Sequence, residues 1–333
     1  VEEKLQQVNQ LLGTNYGLFE YYGAKDAEHI LVAMGSVCET IEETINSLND
    51  SDSNAGLIKV RLYRPFSVPH FLKVLPKTVK KITVLDRTKE PGASGEPLYL
   101  DVLAALKGSS FSQIPVFRGR YGLSSKDTTP AQILAILRNQ EKEHFTIGIT
   151  DDVTHLSLPV TEEWDPLPEG TYNCMFWGLG GDGTVSANKS SIKIIGDNTP
   201  LHAQAYFDYD SKKSRGLTIS HLRFGKSPIR APYLIQKADF VACHNPVYLH
   251  KYDMVQKLKD GGIFLLNCYW QEKDLEESIP GQVKRYIAEH HIKFYIIDAI
   301  AIGKEIGLNN KISTILQAAF FSLMNLLPAE EAT

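Results

Sequence analysis

Residues 29–35, HILVAMG, form a short β-rich run closed by glycine; residues 37–48, VCETIEETINSL, are periodic at helical spacing; residues 57–63, LIKVRLY, return to strand character. Strand, helix and strand in that order make a βαβ unit, whose crossover helices cover both faces of a parallel sheet and leave its strands continuously apolar. The pattern extends outward. A helical stretch in HFLKVLPKTV (70–79) leads to a strand in KKITVLDR (80–87), and the Gly/Pro loop of EPGASGEPLYLDVLAAL (90–106) feeds another helix. A strand in IPVFRG (114–119), the loop RYGLSSKDTTP (120–130), a helix in PAQILAILRN (130–139) and a strand in HFTIGITDD (144–152) complete a first domain expected over residues 1–158. PVTEEWDPLPEGT (159–171), with three prolines, four acids and no periodicity, marks a linker over 159–170. The second domain, 171–333, restarts the alternation with NCMFWGLG (173–180), a Gly-rich turn and a short helix. Strands are expected at SIKIIGD (191–197), QAYFDYD (204–210), LTISHLRF (217–224), ADFVACHN (238–245), GIFLLNC (262–268) and KFYIID (293–298), before a last helix, ISTILQAAFFSLMNLL (312–327). The fold class is α/β, with two open, mostly parallel sheets.

The bulk numbers agree with two ordinary globular cores: 333 residues, 43% hydrophobic and 22% charged. A formal charge of -4 with interspersed signs offers no basic field for a nucleic acid or an anionic membrane, so neither is an expected partner. The apolar run IKFYIIDAIAI (292–302) is broken by Lys293 and Asp298 and falls short of a membrane span. VEEKLQQVNQLL at the N-terminus is acidic and amphipathic rather than a secretory signal, and Val1 points to excision from a longer chain. Cys38, Cys174, Cys243 and Cys268 stand far apart without a C-x-x-C pair. They read as buried thiols in a reducing cytoplasm, with no local framework for zinc or an iron-sulfur cluster.

Chemistry concentrates after the first strand of the second domain. Gly178, Gly180 and Gly183 spell G-x-G-x-x-G, and Thr184 to Lys189 are expected to open a helix whose exposed N–H groups face an anion. Gly181 and Asp182 complete the turn; Asn188 would add a directional amide and Lys189 a point charge. The same glycines also serve a tight turn and close packing with no ligand at all. A dinucleotide site would hold an acid about 20 residues on, and Asp197 ends the run SIKIIGD. The interval from Gly183 to Asp197 leaves room for only a short helix if SIKIIGD is a strand, which argues against NAD. His221, Arg223 and His244 sit near expected strand ends, where a histidine binds or shuttles a proton, but a loop histidine is more often solvated or capping. Lys212, Lys213 and Arg215 make a basic loop suited to a phosphate, an acidic partner or plain solvent. In the first domain Arg87, Lys89, Glu90, Arg118 and Arg120 line Gly- and Ser-rich loops, yet no nucleophile and base pair up. No G-x-S-x-G or H-E-x-x-H motif occurs, and the chain alone reads as catalytically incomplete.

FWGLGGDGTVSANKSSIKIIGDNT (176–199), the run from Ala203 to Leu249, FLLNCYW (264–270) and AAFFSLMNLLP (318–328) resemble the third, gamma-type domain of pyruvate:ferredoxin (flavodoxin) oxidoreductases. EHILVAMGSVCETIEETI (28–45), IKVRLYRPFS (58–67), ITVLDRTKEPGASGEPLYLDV (82–102), GRYGLSSKDTTP (119–130) and FTIGITDDVTHLSLP (145–159) resemble the preceding domain, which is similar to the C-terminal domain of transketolases. The resemblance implies an internal fragment, inactive by itself, of an enzyme that cleaves pyruvate and transfers the acetyl group to coenzyme A. In such an enzyme thiamine diphosphate, magnesium and [4Fe-4S] clusters belong to other domains of the polypeptide, and no cofactor is expected in this piece. Ferredoxin or flavodoxin would accept the electrons, the whole enzyme would be a homodimer, and its compartment would be the cytoplasm or a reducing anaerobic organelle. Because the family's third domain borders the coenzyme A entry, Gly178, Gly180, Gly181, Asp182, Gly183, Thr184, Asn188 and Lys189 become the expected contacts of coenzyme A phosphates. Two alternatives stand beside this reading: noncatalytic scaffold domains, as in a sulfite reductase flavoprotein subunit, and an NAD(P)-binding oxidoreductase.

Overall fold

Strands that are apolar on every residue need cover on both faces, and the alternation of side chains decides which cover each one meets. The computed structural model describes residues 1–49, 54–150, 152–210, 216–308 and 312–326, so the basic loop Lys212, Lys213 and Arg215 lies outside the described residues. The chain divides into two compact units, Val1–Leu167 with Arg230–Tyr233, and Pro168–Ile229 with Leu234–Thr333.

The first unit runs α1 (Glu2–Leu12), β1 (Phe19–Gly23), β2 (His29–Ala33), α2 (Val37–Asn49), β3 (Ala55–Val60), α3 (Val68–Val74), β4 (Lys81–Asp86), α4 (Pro97–Leu106), β5 (Val116–Arg120), α5 (Pro130–Arg138) and β6 (His144–Thr146). Its sheet has the order β1-β3-β2-β4-β5-β6, parallel except for β1. Ile30, Val32, Ile58, Ile82 and Val84 enter one core with Phe71 and Val102, whereas Leu31, Ala33, Leu57 and Leu85 enter the other with Ile41, Ile133 and Phe145. β1 is a strand that the sequence reading did not register. It sits at the sheet edge with only Phe19 fully buried, so its sequence carries little apolar pattern.

The second unit runs β7 (Tyr172–Leu179), α6 (Thr184–Asn198), β8 (His202–Tyr209), β9 (Leu217–Gly225), β10 (Ala238–Cys243), β11 (Leu258–Asn267), α7 (Glu272–Ser278), α8 (Gly281–Glu289), β12 (Lys293–Ile297), α9 (Ala299–Glu305) and α10 (Ile312–Met324). The sheet order is β12-β11-β10-β7-β9-β8, with the first four strands parallel and β9 antiparallel to both of its neighbours. Connections from β7 lead to one side, and β10 to β12 fill the other, so the strand order reverses between β7 and β10. The crevice outside the carboxyl ends of those two strands is the ligand position that open α/β sheets favour.

One expected element is corrected here. SIKIIGD is the second half of α6, a 15-residue helix, and not a strand. The buried face of α6 is Thr184, Asn188, Ser191 and Ile195. Their spacing is helical, but three of the four are polar, so hydrophobic periodicity is silent and the isoleucines at 192, 194 and 195 imitate a strand. Ser191 donates to the Ala187 carbonyl and accepts from Gln317 of α10, which satisfies its hydroxyl beneath the helix, whereas the buried Asn188 Nδ2 meets no partner among the described residues.

Candidate functional site

The glycine run ends β7 and turns into α6 at the reversal of strand order. Gly178 is the point of closest approach: a Cβ there would stand 2.4 Å from Thr184 Oγ1, so the bare backbone lets the first helical residue drop onto the strand. Gly180 N–H donates to the Gly216 carbonyl at 2.8 Å. Gly181 and Gly183 take φ of 94° and 88°, left-handed values at which glycine carries no steric penalty, and Gly183 is the N-cap. The Asp182 carboxylate folds back, accepting from Leu179 N–H at 2.8 Å through Oδ2 and from Thr184 N–H at 2.8 Å through Oδ1. Val185 and Ser186 follow in the first turn, where amides have no intrahelical acceptor and the helix dipole is positive. Ser186 is exposed there.

Gly178 to Thr184 therefore come together, whereas the last two expected contacts lie elsewhere. Asn188 is 3% exposed, one turn below Thr184 on the buried face. Lys189 is exposed with its ammonium 5.5 Å from the Phe207 ring centre, about 7.5 Å along the axis from Thr184. Asp197 belongs to the last turn of α6, about 21 Å along the axis from the glycines, so it cannot serve a dinucleotide ribose. α6 is a full 15-residue helix, so this distance, and not a short helix, separates the chain from a dinucleotide site.

His244 is the residue that sequence reasoning undervalued. Instead of a solvated loop histidine it is 7% exposed, immediately after β10, with Nδ1 2.6 Å from Thr184 Oγ1. Its backbone N–H donates to the Trp177 carbonyl, and its carbonyl accepts from Asn267 Nδ2 at 3.0 Å. Asn267 in turn accepts the Ala299 N–H at 3.1 Å, at the start of α9. Burial lowers the His244 pKa to about 4, against the opposing pull of Asp182. His221, inside β9 and 4% exposed, accepts from Ile235 N–H at 3.3 Å through Nδ1 and is lowered by burial to about 3. Both rings are neutral at pH 7. Acidification should destabilise the second unit. Below pH 6.5 the unfolded histidines bind protons that the folded ones exclude, so stability falls by about 1.4 kcal/mol per pH unit for each group, until pH reaches the folded values. Urea midpoints at pH 7.5 and 5.5 should differ accordingly, and His221→Gln should flatten the slope; equal midpoints would contradict the assignment.

The arginines of the first unit brace loops. Arg120 Nε bonds Glu96, itself 1% exposed, at 2.5 Å; Arg118 reaches the Ser94 carbonyl and His144 at 3.1 Å; Arg87 lies 3.5 Å from the Gly122 carbonyl. A cavity of about 830 Å³ opens at the start of α2, with Glu20, Glu42, Lys59, Arg61 and Arg230 on its wall. Those charges are already paired: Lys59 with Glu20 and Glu42, Arg61 with Glu20, Arg230 with Glu42 at 2.8 Å. Cys38 lines the same cavity, but burial pushes its thiol up to about 12, and that of Cys243 likewise, so neither is a thiolate nucleophile.

Residues 173–333 match the family model described as pyruvate ferredoxin/flavodoxin oxidoreductase, and residues 27–133 match pyruvate:ferredoxin oxidoreductase core domain II. The pyruvate:ferredoxin oxidoreductase of Moorella thermoacetica is 54% identical over 336 residues, covering 100% of this chain and 29% of that protein. The chain belongs to the pyruvate:ferredoxin/flavodoxin oxidoreductase family. The pyruvate-flavodoxin oxidoreductase of Enterobacter agglomerans is 51% identical with the same 29% coverage, and the pyruvate dehydrogenase [NADP(+)] of Cryptosporidium parvum is 48% identical with 18% coverage. The chain thus spans less than a third of the length of these relatives of the oxidoreductase family.

For the whole enzyme the sequence resemblance implies thiamine diphosphate with a metal ion and iron-sulfur clusters, and the described side chains fit neither. Asp182, between Gly181 and Gly183, spends both carboxylate oxygens on backbone amides. Among the described residues no three or more His, Cys, Asp or Glu side chains gather into a possible metal site, and no described helix is long and apolar enough to cross a membrane.

Proposed function

We propose that the chain works as part of an enzyme that oxidatively decarboxylates pyruvate to acetyl-coenzyme A, passing electrons to ferredoxin or flavodoxin. Its own share in this reading is to hold a phosphate of coenzyme A at the start of α6. The observation that carries it is the coincidence of three features at one place: the reversal of strand order between β7 and β10, the turn Gly180 to Gly183, and the first-turn amides of Val185 and Ser186, which have no intrahelical acceptor. The activities named for the relatives supply the reaction. Thiamine diphosphate, magnesium and the clusters belong, in this account, to segments outside the chain. Domain limits at 158 and 171, a homodimeric whole enzyme and a cytoplasmic or anaerobic-organelle setting belong to the same reading. By itself the chain turns over no pyruvate.

One observation favours a second reading, a ligand-free scaffold: Asp182 already supplies a negative charge at the helix start. The two readings part on Ser186→Asp. A carboxylate in the first turn suits the helix dipole and preserves the fold, but it repels a bound phosphate. In the whole enzyme, assayed by pyruvate-dependent dye reduction, Ser186→Asp should raise the KM for coenzyme A roughly tenfold and leave the KM for pyruvate unchanged. An unchanged KM for coenzyme A would favour the scaffold.

A further inference from the structure

The buried bond between Thr184 and His244 joins residues 60 positions apart, and it stands where the glycine turn becomes helix. Thr184 is 0% exposed, is wedged over Gly178, and gives its N–H to Asp182. His244 closes the adjoining strand, β10, and is fixed along its backbone by Trp177 and Asn267. The other ring nitrogen, Nε2, is buried and meets no partner among the described residues. Thr184 is therefore the side-chain hydrogen bond that orients this ring, and the ring is the strand-end group that holds the threonine hydroxyl. The chain of contacts runs Asp182, Thr184, His244, Asn267 and on to Ala299 N–H, so one buried polar network ties the starts of two helices to the ends of two strands.

We propose that Thr184 and His244 are a positioning pair that sets the glycine turn and the first amides of α6 in the geometry an anionic ligand requires. The inference rests on the reading of that helix start as the coenzyme A phosphate site. Neither side chain need touch the ligand. The hydroxyl and the ring fix where the helix begins relative to β7 and β10, and with it the direction of the Val185 and Ser186 N–H groups. A shift of an ångström there separates a turn that converges on a phosphate from one that does not.

Thr184→Val keeps the shape that fills the notch over Gly178 and removes only the hydroxyl, whereas Thr184→Ser keeps the hydroxyl. His244→Asn retains a polar atom near the position of Nδ1, whereas His244→Leu does not. Coenzyme A and inorganic pyrophosphate are titrated into each variant, and amide hydrogen exchange is measured over residues 180–186. Thr184→Val and His244→Leu should each weaken binding about tenfold or more and speed exchange at Gly183 to Ser186. The double variant should be no worse than the weaker single one, because the bond can be lost only once, and Thr184→Ser and His244→Asn should stay within about threefold of the parent. Additive losses, or a Thr184→Val variant that binds and exchanges like the parent, would overturn the proposal even if His244→Leu fails to fold. If the parent chain binds neither ligand, the phosphate reading falls on its own. The positioning pair is then judged by exchange alone: coupled acceleration at Gly183 to Ser186 upholds it, and independent or absent effects refute it.

Discussion

Phe320→Ala should cost the second unit about 3–5 kcal/mol, a large share of the stability of a domain this size. The ring is fully buried in α10 and meets four others: Phe176 at 5.0 Å, Phe240 at 5.1 Å and Phe224 at 6.3 Å, all edge-on, and Phe321 at 5.3 Å. Phe176, Phe240 and Phe224 stand on β7, β10 and β9, so Phe320 is where α10 seals the face of the sheet that also carries α6. Truncation removes the transfer energy of the ring and leaves a cavity that rigid strands close poorly. Trp177, buried on the opposite face of β7, gives a fluorescence signal for this unit. Its urea midpoint should fall sharply, while the transition of the first unit stays in place. A loss under about 1 kcal/mol would mean that this core is not packed as described.

Gly178→Val should be nearly as costly and should also end ligand binding. The new Cβ would lie 2.4 Å from Thr184 Oγ1, 2.7 Å from its Cβ and 2.9 Å from its Cγ2. Threonine is stiff at χ1 and this one is completely buried, so it cannot swing aside and the helix start must lift from the strand. Overpacking of that kind costs about 3 kcal/mol, and lifting Thr184 also breaks its bond to His244. Gly181→Ala is the contrasting case. Nothing lies within 4 Å of its Cβ position, so only the left-handed φ of 94° is penalised, at about 1–2 kcal/mol. Thermal unfolding of the two variants beside the parent checks the order; equal shifts would show that close packing at Gly178 is not the decisive feature.

Much of the architecture was legible because buried parallel strands announce themselves. HILVAMG, KKITVLDR and ADFVACHN each contain a strand, β2, β4 and β10 respectively. Their residues are apolar on both faces since both faces are covered. The second half of α6 does not show as a helix in the sequence because a helix that buries Thr184, Asn188 and Ser191 has no apolar stripe to read. β1 escaped because an edge strand buries little. The glycine turn was legible as a turn, since Gly181 and Gly183 answer local backbone needs and Gly178 admits the close approach of Thr184, but the roles of its neighbours were not. Asp182 looks like a ligand residue until its two oxygens are seen on Leu179 and Thr184, and Lys189 looks convergent until helical rise carries it away to Phe207. The local sequence around His244 is polar and suggests a solvated loop, whereas its environment is set by Thr184 and Asn267, distant in the chain. Long-range polar pairing of this sort leaves no periodic trace in a sequence.

The central claim is that the start of α6 receives a phosphate of coenzyme A, and calorimetric titration tests it most directly. Coenzyme A and, separately, NADH are titrated into the 333-residue chain and into its Ser186→Asp variant. The account predicts saturable heat with coenzyme A, none with NADH, and roughly tenfold weaker binding of coenzyme A to the variant at unchanged thermal stability. Coenzyme A binding of equal strength in both chains would place the phosphate elsewhere, and no heat with either ligand would contradict the claim for this chain outright.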